Sequence, residues 1–196
     1  MKNLKIFCTS IDYYKVIDYL PNIIIPLGIG KNTFPSNWLD EKKGENISEL
    51  NSYYGELTGL YWVWKNKLID MKKDDLIGNC HYRKLWLNDF YTKKQRFAFS
   101  SLYSNLLNQS KSLENLDSIQ VQPIEFKNKN LFIDFKEVHK IDILKDFLNF
   151  LNEDNKDLFL KHMNSNVLYP LNMFITKVVF FLKNIANKFF RGMKNV

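Results

Sequence analysis

The chain is poor in cysteine, glycine and arginine, and it has no long apolar run. Cysteine occurs twice in 196 residues, at Cys8 and Cys80. Both lie in apolar, strand-like segments, so they read as buried reduced thiols and exclude a disulfide framework. The three histidines stand at no metal-ligand spacing to one another or to the cysteines, which excludes a zinc module. No uninterrupted apolar stretch is long enough to span a bilayer. The opening run turns polar at Thr9 and Ser10 and is too short for a signal peptide. The expected location is the cytoplasm, with contact at the inner face of the membrane left open.

Arginine is confined to positions 83, 96 and 191, so lysine supplies nearly all of the formal charge of +7. An AT-rich genome yields the same Lys-, Asn- and Ile-rich, Gly-poor composition, so the basic balance is not a nucleic-acid signature. A glycine-flanked aromatic RNA motif, a zinc spacing and a basic helix-turn-helix are all absent, and nucleic acid is not an expected partner. A positive surface still suits an anionic small ligand or an anionic membrane. Apolar side chains are plentiful: 45% of residues are hydrophobic and 15% aromatic, enough for a packed core. The length points to one domain over 1–196, with 175–196 as a C-terminal amphipathic helix.

Residues 4–9 read as a buried first strand, and 22–29 as a second apolar run broken by Pro26. The polar stretch 31–51 has no strong periodicity and reads as a long loop, a kind of segment that is often functional. Leu57, Leu60, Tyr61, Trp64 and Leu68 recur at helical spacing and predict a helix over 53–69. Asn51 or Ser52 can cap it. Trp62 and Trp64 lie about 200° apart on that helix, at roughly 100° per residue. One therefore belongs in the core and the other against a neighbouring loop. A short strand over 75–80 follows the acidic pair Asp74–Asp75. Further helices are expected over 96–108, 135–151, 154–163 and 175–190. A half-exposed strand is expected over 118–126, with Pro123 at an edge or an end. Helices feeding strands indicate an α/β sheet.

The stretch 44–86 holds the densest chemistry. His81-Tyr82-Arg83-Lys84 follows a strand, at the end of a sheet where open α/β folds bind ligands. Arginine and lysine there can neutralise a diphosphate, and His81 can donate to it or carry a proton. A solvated basic loop accounts for the same four residues equally well. Glu56 opens the aromatic helix; the helix dipole is reason enough for it, and binding a hydroxyl or positioning a basic residue is the functional reading. Asn46, Ser48 and Asn51 can make turns and caps or read a nucleotide or sugar. His139 stands in a helical stretch beside Asp134 and Glu137, and His162 has no partner signal.

Asn46-Ile47-Ser48, Asn51, the run ELTGLYWVWKN over 56–66, Gly78 and His81-Tyr82-Arg83-Lys84 together resemble the hallmark of a bacterial family, DUF4422, common in capsule and exopolysaccharide loci. Lys84 stands where the motif has a second arginine, and Gly55 where it has a cysteine. The stretch 135–139 resembles a "QY…H" element, with Asp134 and Phe135 in place of Gln and Tyr. Residues 171–175 resemble an "NMF" segment ahead of a terminal helix whose "WLF" block is degraded here. The resemblance implies a nucleotide-diphospho-sugar transferase-like domain of the GT-A type, an α/β fold with a mixed central sheet flanked by helices. It implies a glycosyltransferase moving a sugar, UDP-hexose being the first expectation, onto a capsular or exopolysaccharide acceptor, free or lipid-linked.

In that reading Thr9, Asn46, Ser48 and Asn51 border the nucleotide, and His81, Arg83 and Lys84 stabilise the departing diphosphate. Glu56 binds donor hydroxyls or holds Arg83. His139 is the first choice of base, with Asp134 and Glu137 behind it, and Asn172 and Met173 line the acceptor side. No cofactor is required. An Asp-x-Asp metal motif would be expected after the strand, and Asp74–Asp75 precedes it; manganese stays open, with Asp89 the nearest carboxylate downstream. The short chain and degraded terminal block leave a second reading, a non-catalytic nucleotide-sugar or glycan-binding module that assists a partner transferase.

Overall fold

A computed structural model of the chain describes residues 3–86, 117–170 and 172–190. The chain forms two compact units, Met1–Gln120 with Asn172–Val196, and Val121–Leu171. The expected helix over 96–108 and Asp89 lie outside the described residues. In chain order the described strands are β1 (Leu4–Ser10), β2 (Ile24–Gly28), β3 (Leu39–Asp40), β4 (Leu76–His81), β5 (Ser118–Gln120), β6 (Ile124–Glu125), β7 (Val167–Leu168) and β8 (Phe174–Lys177). The α-helices are α1 (Asn51–Tyr54), α2 (Leu57–Asn66), α3 (Leu131–His139), α4 (Leu144–Phe147), α5 (Glu153–Met163) and α6 (Val178–Phe181). After α6 the chain continues in π-helical turns over Leu182–Phe190.

The first unit is built on a six-stranded mixed sheet in the order β3-β2-β1-β4-β8-β5. β1 is parallel to β2 and β4, whereas β8 runs antiparallel to β4 and β5. The continuous apolar runs of β1 and β4 are buried along nearly their whole length, as central parallel strands covered on both faces require. Strand order leaves β1 outward on both sides, to β2 on one and β4 on the other. Their neighbouring carboxyl ends therefore form the switch point at which open α/β sheets bind ligands. Register places Phe7 beside Asn79 and Thr9 beside His81. Because alternate residues share a face, Ile77, Asn79 and His81 look to the same side.

That side is covered by α2 and the C-terminal helical segment. Phe7, Leu27, Ile29, Leu60, Val63, Ile77 and Phe181 form the core between them, each such side chain worth about 1.5–3 kcal/mol when fully buried. Gly59 allows close approach: a Cβ there would stand 2.9 Å from Ile29 and 3.1 Å from Thr9. The predicted helix over 53–69 is divided by Gly55, whose φ of 54° ends α1 before α2 begins. The long loop folds back onto α2. The Trp62 indole donates to the Lys43 carbonyl, and the Tyr61 hydroxyl donates to Glu45 at 3.1 Å. Trp64 instead stacks on Phe190 at 5.7 Å. Trp62 is thus the buried core member, tied to the loop by its indole, and half-buried Trp64 packs against the core from its edge.

Two expectations change. Residues 175–177 are strand, not helix, because Phe174–Lys177 pairs with both β4 and β5; the helix starts at Val178. The strand expected over 118–126 breaks around Pro123, so β5 joins the large sheet and β6 pairs with β7 in the second unit. In that second unit, α3 starts earlier than predicted, capped by Asn130, whose side chain accepts from the Ile133 amide at 3.1 Å. It stops at Lys140, which adopts the left-handed conformation at φ 59°. Phe159 of α5 packs against Phe132 and Phe147 there. Among the described residues no helix is long and apolar enough to cross a membrane.

Candidate functional site

β4 ends in a tight reversal. The Lys84 amide donates to the His81 carbonyl at 2.9 Å, and the His81 amide donates back to the Lys84 carbonyl at 3.2 Å. The Tyr82 amide donates to the Thr9 carbonyl at 3.2 Å, tying this tip to the end of β1. Tyr82 and Arg83 are therefore presented at the sheet's carboxyl end. Arg83 and Lys84 are exposed, and His81 is half-buried. Burial depresses the His81 pKa, the Glu56 carboxylate pulls it back, and Arg83 lowers it further. The imidazole is thus neutral at pH 7, and its Nε2 is buried without a partner.

A chain of side chains links this tip to the start of α2. Asn172 Nδ2 donates to Glu56 Oε1 at 2.9 Å. The Asn172 carbonyl accepts from Asn79 Nδ2, also at 2.9 Å. The Asn79 carbonyl in turn accepts from the Trp86 indole at 3.0 Å. Asn79 is 0% exposed, and its Oδ1 has no partner. A buried amide oxygen left unpaired is costly, so Asn79 and His81, on one face of one strand, leave two polar atoms open to a further hydrogen bond. The sequence signal for Asn79 was there: a carboxamide inside the apolar run LIGNCH, two positions before His81.

Thr9 is buried, its hydroxyl donating to the Cys80 carbonyl at 3.2 Å. Cys8 and Cys80 are neighbours in register and both free thiols. The Cys8 thiol and burial push Cys80 far above the ordinary thiol range, which keeps it unreactive. The polar loop residues fold their own loop. Asn46 Oδ1 accepts from the Ser48 amide and hydroxyl at 3.2 and 2.8 Å. Asn51 Nδ2 donates to the Gly55 carbonyl and the Thr58 hydroxyl at 2.9 and 2.8 Å. Met173 is buried beside Asn172. The acidic pair is structural at Asp75, whose carboxylate accepts from the amides of Asn3 and Lys72.

His139 belongs to the second unit, at the exposed end of α3 with its ring 4.4 Å from that of Phe135. Asp134 and Glu137 both bind Lys129 there, at 2.8 and 2.7 Å. Among the described residues no group of three His, Cys, Asp or Glu side chains could hold a metal ion. A carboxylate with no sequence signal is Glu41, 1% exposed. Its Oε1 accepts from the Gly30 amide at 2.6 Å, while Oε2 has no partner. Burial raises its pKa, and the Gly30 amide and Thr58 hydroxyl oppose the rise.

Comparison with known proteins gives three findings. The family model described as a domain of unknown function, DUF4422, matches residues 5–191. No curated protein matches the chain. The solved apo structure of the WbbM bifunctional glycosyltransferase is similar, with a TM-score of 0.70 at 20% identity, over 99% of this chain and 37% of that one. At that identity the likeness establishes a shared fold, and the chain spans little more than a third of the length of the protein it matches. The match over nearly all of the sequence, with the hallmark residues gathered around α2 and the tip of β4, places the chain in the DUF4422 family.

Proposed function

We propose that the protein is a glycosyltransferase. It moves a sugar, UDP-hexose in the first instance, from a nucleotide-diphospho-sugar to a hydroxyl of a capsular or exopolysaccharide acceptor at the cytoplasmic side of the membrane. One observation carries this reading. Exposed Arg83 and Lys84 and the unpartnered His81 Nε2 stand together at the β1–β4 switch point, with His81 within the electrostatic reach of Glu56, which Asn172 holds. The fold shared with WbbM supports it.

In the reaction the bond from the anomeric carbon to the diphosphate oxygen breaks, and the acceptor oxygen forms the new bond as it loses its proton. Arg83 and Lys84 neutralise the charge that gathers on the leaving diphosphate. Half-buried His81 backs the tip of β4 beside Arg83, and Glu56 accepts from donor hydroxyls. Thr9, Asn46, Ser48 and Asn51 border the nucleotide. Asn172 and Met173 belong to the acceptor side. Positive side chains take the place of a metal in this scheme. Loss of activity in EDTA, with recovery on adding manganese, would reject that part.

Incubating purified protein with UDP-sugars and an acceptor panel tests the whole reading. Arg83→Ala should lower turnover about 10²–10³-fold with an unchanged circular dichroism spectrum. Full activity in that variant removes the site assignment. Wild-type binding without transfer or donor hydrolysis favours a non-catalytic nucleotide-sugar-binding module instead.

A further inference from the structure

Glu41 directly follows β3 and is enclosed by protein. Its Oε1 accepts from the Gly30 amide at 2.6 Å, and its Oε2 has no partner. Taking a carboxyl out of water with one oxygen unpaired is costly, and an apolar side chain of the same bulk would avoid that cost. The carboxyl has to be explained by what it holds in place.

It stands at a joint. Gly30 lies just past β2 with φ at 77°. A Cβ there would be 3.1 Å from Asn51 Oδ1, so the Asn51 carboxamide packs against Gly30. Asn51 opens α1, and its Nδ2 donates to the Gly55 carbonyl and the Thr58 hydroxyl. Thr58 is buried, and its hydroxyl donates to the same Gly55 carbonyl at 3.0 Å. That hydroxyl also acts on the Glu41 carboxyl, against the rise that burial imposes on its pKa. Neither α1 nor α2 has a side-chain cap at its start, so no local cap fixes the turn between them. Glu41, Gly30, Asn51 and Thr58 close around that turn instead, and Glu56 is the residue after it.

We propose that Glu41 is a positioning residue for Glu56. It fastens the loop after β2 against the α1–α2 joint, and the joint sets where the Glu56 carboxylate stands. The proposal rests on the reading in which Glu56 accepts from donor hydroxyls. Asn172 holds the tip of the Glu56 side chain; Glu41 holds the backbone from which it projects.

Calorimetric titration of the full chain with UDP-galactose and with UDP tests it, since only the first carries the hexose hydroxyls. Glu41→Leu keeps bulk and removes the acceptor. It should weaken UDP-galactose binding about 10-fold, within the range of one charged hydrogen bond, and leave UDP binding unchanged. Glu41→Gln keeps an acceptor for the Gly30 amide and should bind both as wild type does. In a Glu56→Gln background Glu41→Leu should cause no further loss, because it acts through Glu56. The near-ultraviolet signal of the α2 tryptophans reports the fold. If Glu41→Leu does not fold, Thr58→Val takes its place with the same expectations. Wild-type UDP-galactose affinity in the disrupted variant overturns the proposal, as does an equal loss of both ligands. So does a loss that multiplies with that of Glu56→Gln, or a Glu41→Gln variant as weak as Glu41→Leu. If wild type does not bind UDP-galactose, or Glu56→Gln leaves that binding intact, the reading of the site fails first and takes the proposal with it.

Discussion

A carboxamide enclosed in a sheet needs partners at both ends, and Asn79 has one only for its nitrogen. Asn79→Ala strands the Asn172 carbonyl and should cost about 1–3 kcal/mol, read as a lower urea midpoint at constant m. The same variant should loosen Glu56 through Asn172 and reduce transfer. His81 carries a pH signature. Its pKa in the folded chain lies below the unfolded value, so acidification protonates the unfolded chain first. Stability should be complete above about pH 6.5 and decline as pH falls through the depressed folded value. Urea titrations between pH 5 and 8 should show that decline in wild type and less of it in His81→Gln. Sequence alone made His81, Arg83 and Glu56 legible, since each follows or opens an element with clear periodicity. Glu41 was not legible, because its burial depends on Gly30 and Thr58 across a loop with no period.

The element that positions the site is α2. It lies close to β1 and β2 because Gly59 has no side chain, with Ile29 and Thr9 taking the space. Gly59→Ala gains up to about 1 kcal/mol in helix propensity but overpacks the interface at a cost of about 1–3 kcal/mol. The net result should be a lower melting temperature by calorimetry and weaker donor binding, as Glu56 moves with the helix. The central strands and α2 were legible from apolar runs and helical spacing. The split at Gly55 was not, because a single glycine is tolerated in many helices and only its positive φ ends this one. The strand at Phe174–Lys177 was hidden for another reason. Its pairing partners, Asn79 and Gln120, are remote in sequence, and the apolar run that follows invites a helix from the start.

At the scale of the whole molecule, the second unit is an insertion. Gln120 and Phe174 are paired in register across β5 and β8, so the chain leaves the first unit and returns to it at neighbouring positions. Replacing residues 121–171 with a short glycine-containing loop fits antiparallel geometry. The shortened chain should keep cooperative melting and the near-ultraviolet signal of the α2 tryptophans. Non-cooperative melting would show that the first unit depends on the insert. Composition gave no hint of this division, since no linker-like segment flanks the insert. The central claim concerns one place on the first unit, the end of β4. A crystal structure with UDP bound tests it most directly: the diphosphate oxygens are expected about 3 Å from the Arg83 guanidinium and the Lys84 ammonium. UDP bound away from the β1–β4 switch point, with Arg83 and Lys84 left in solvent, would contradict it.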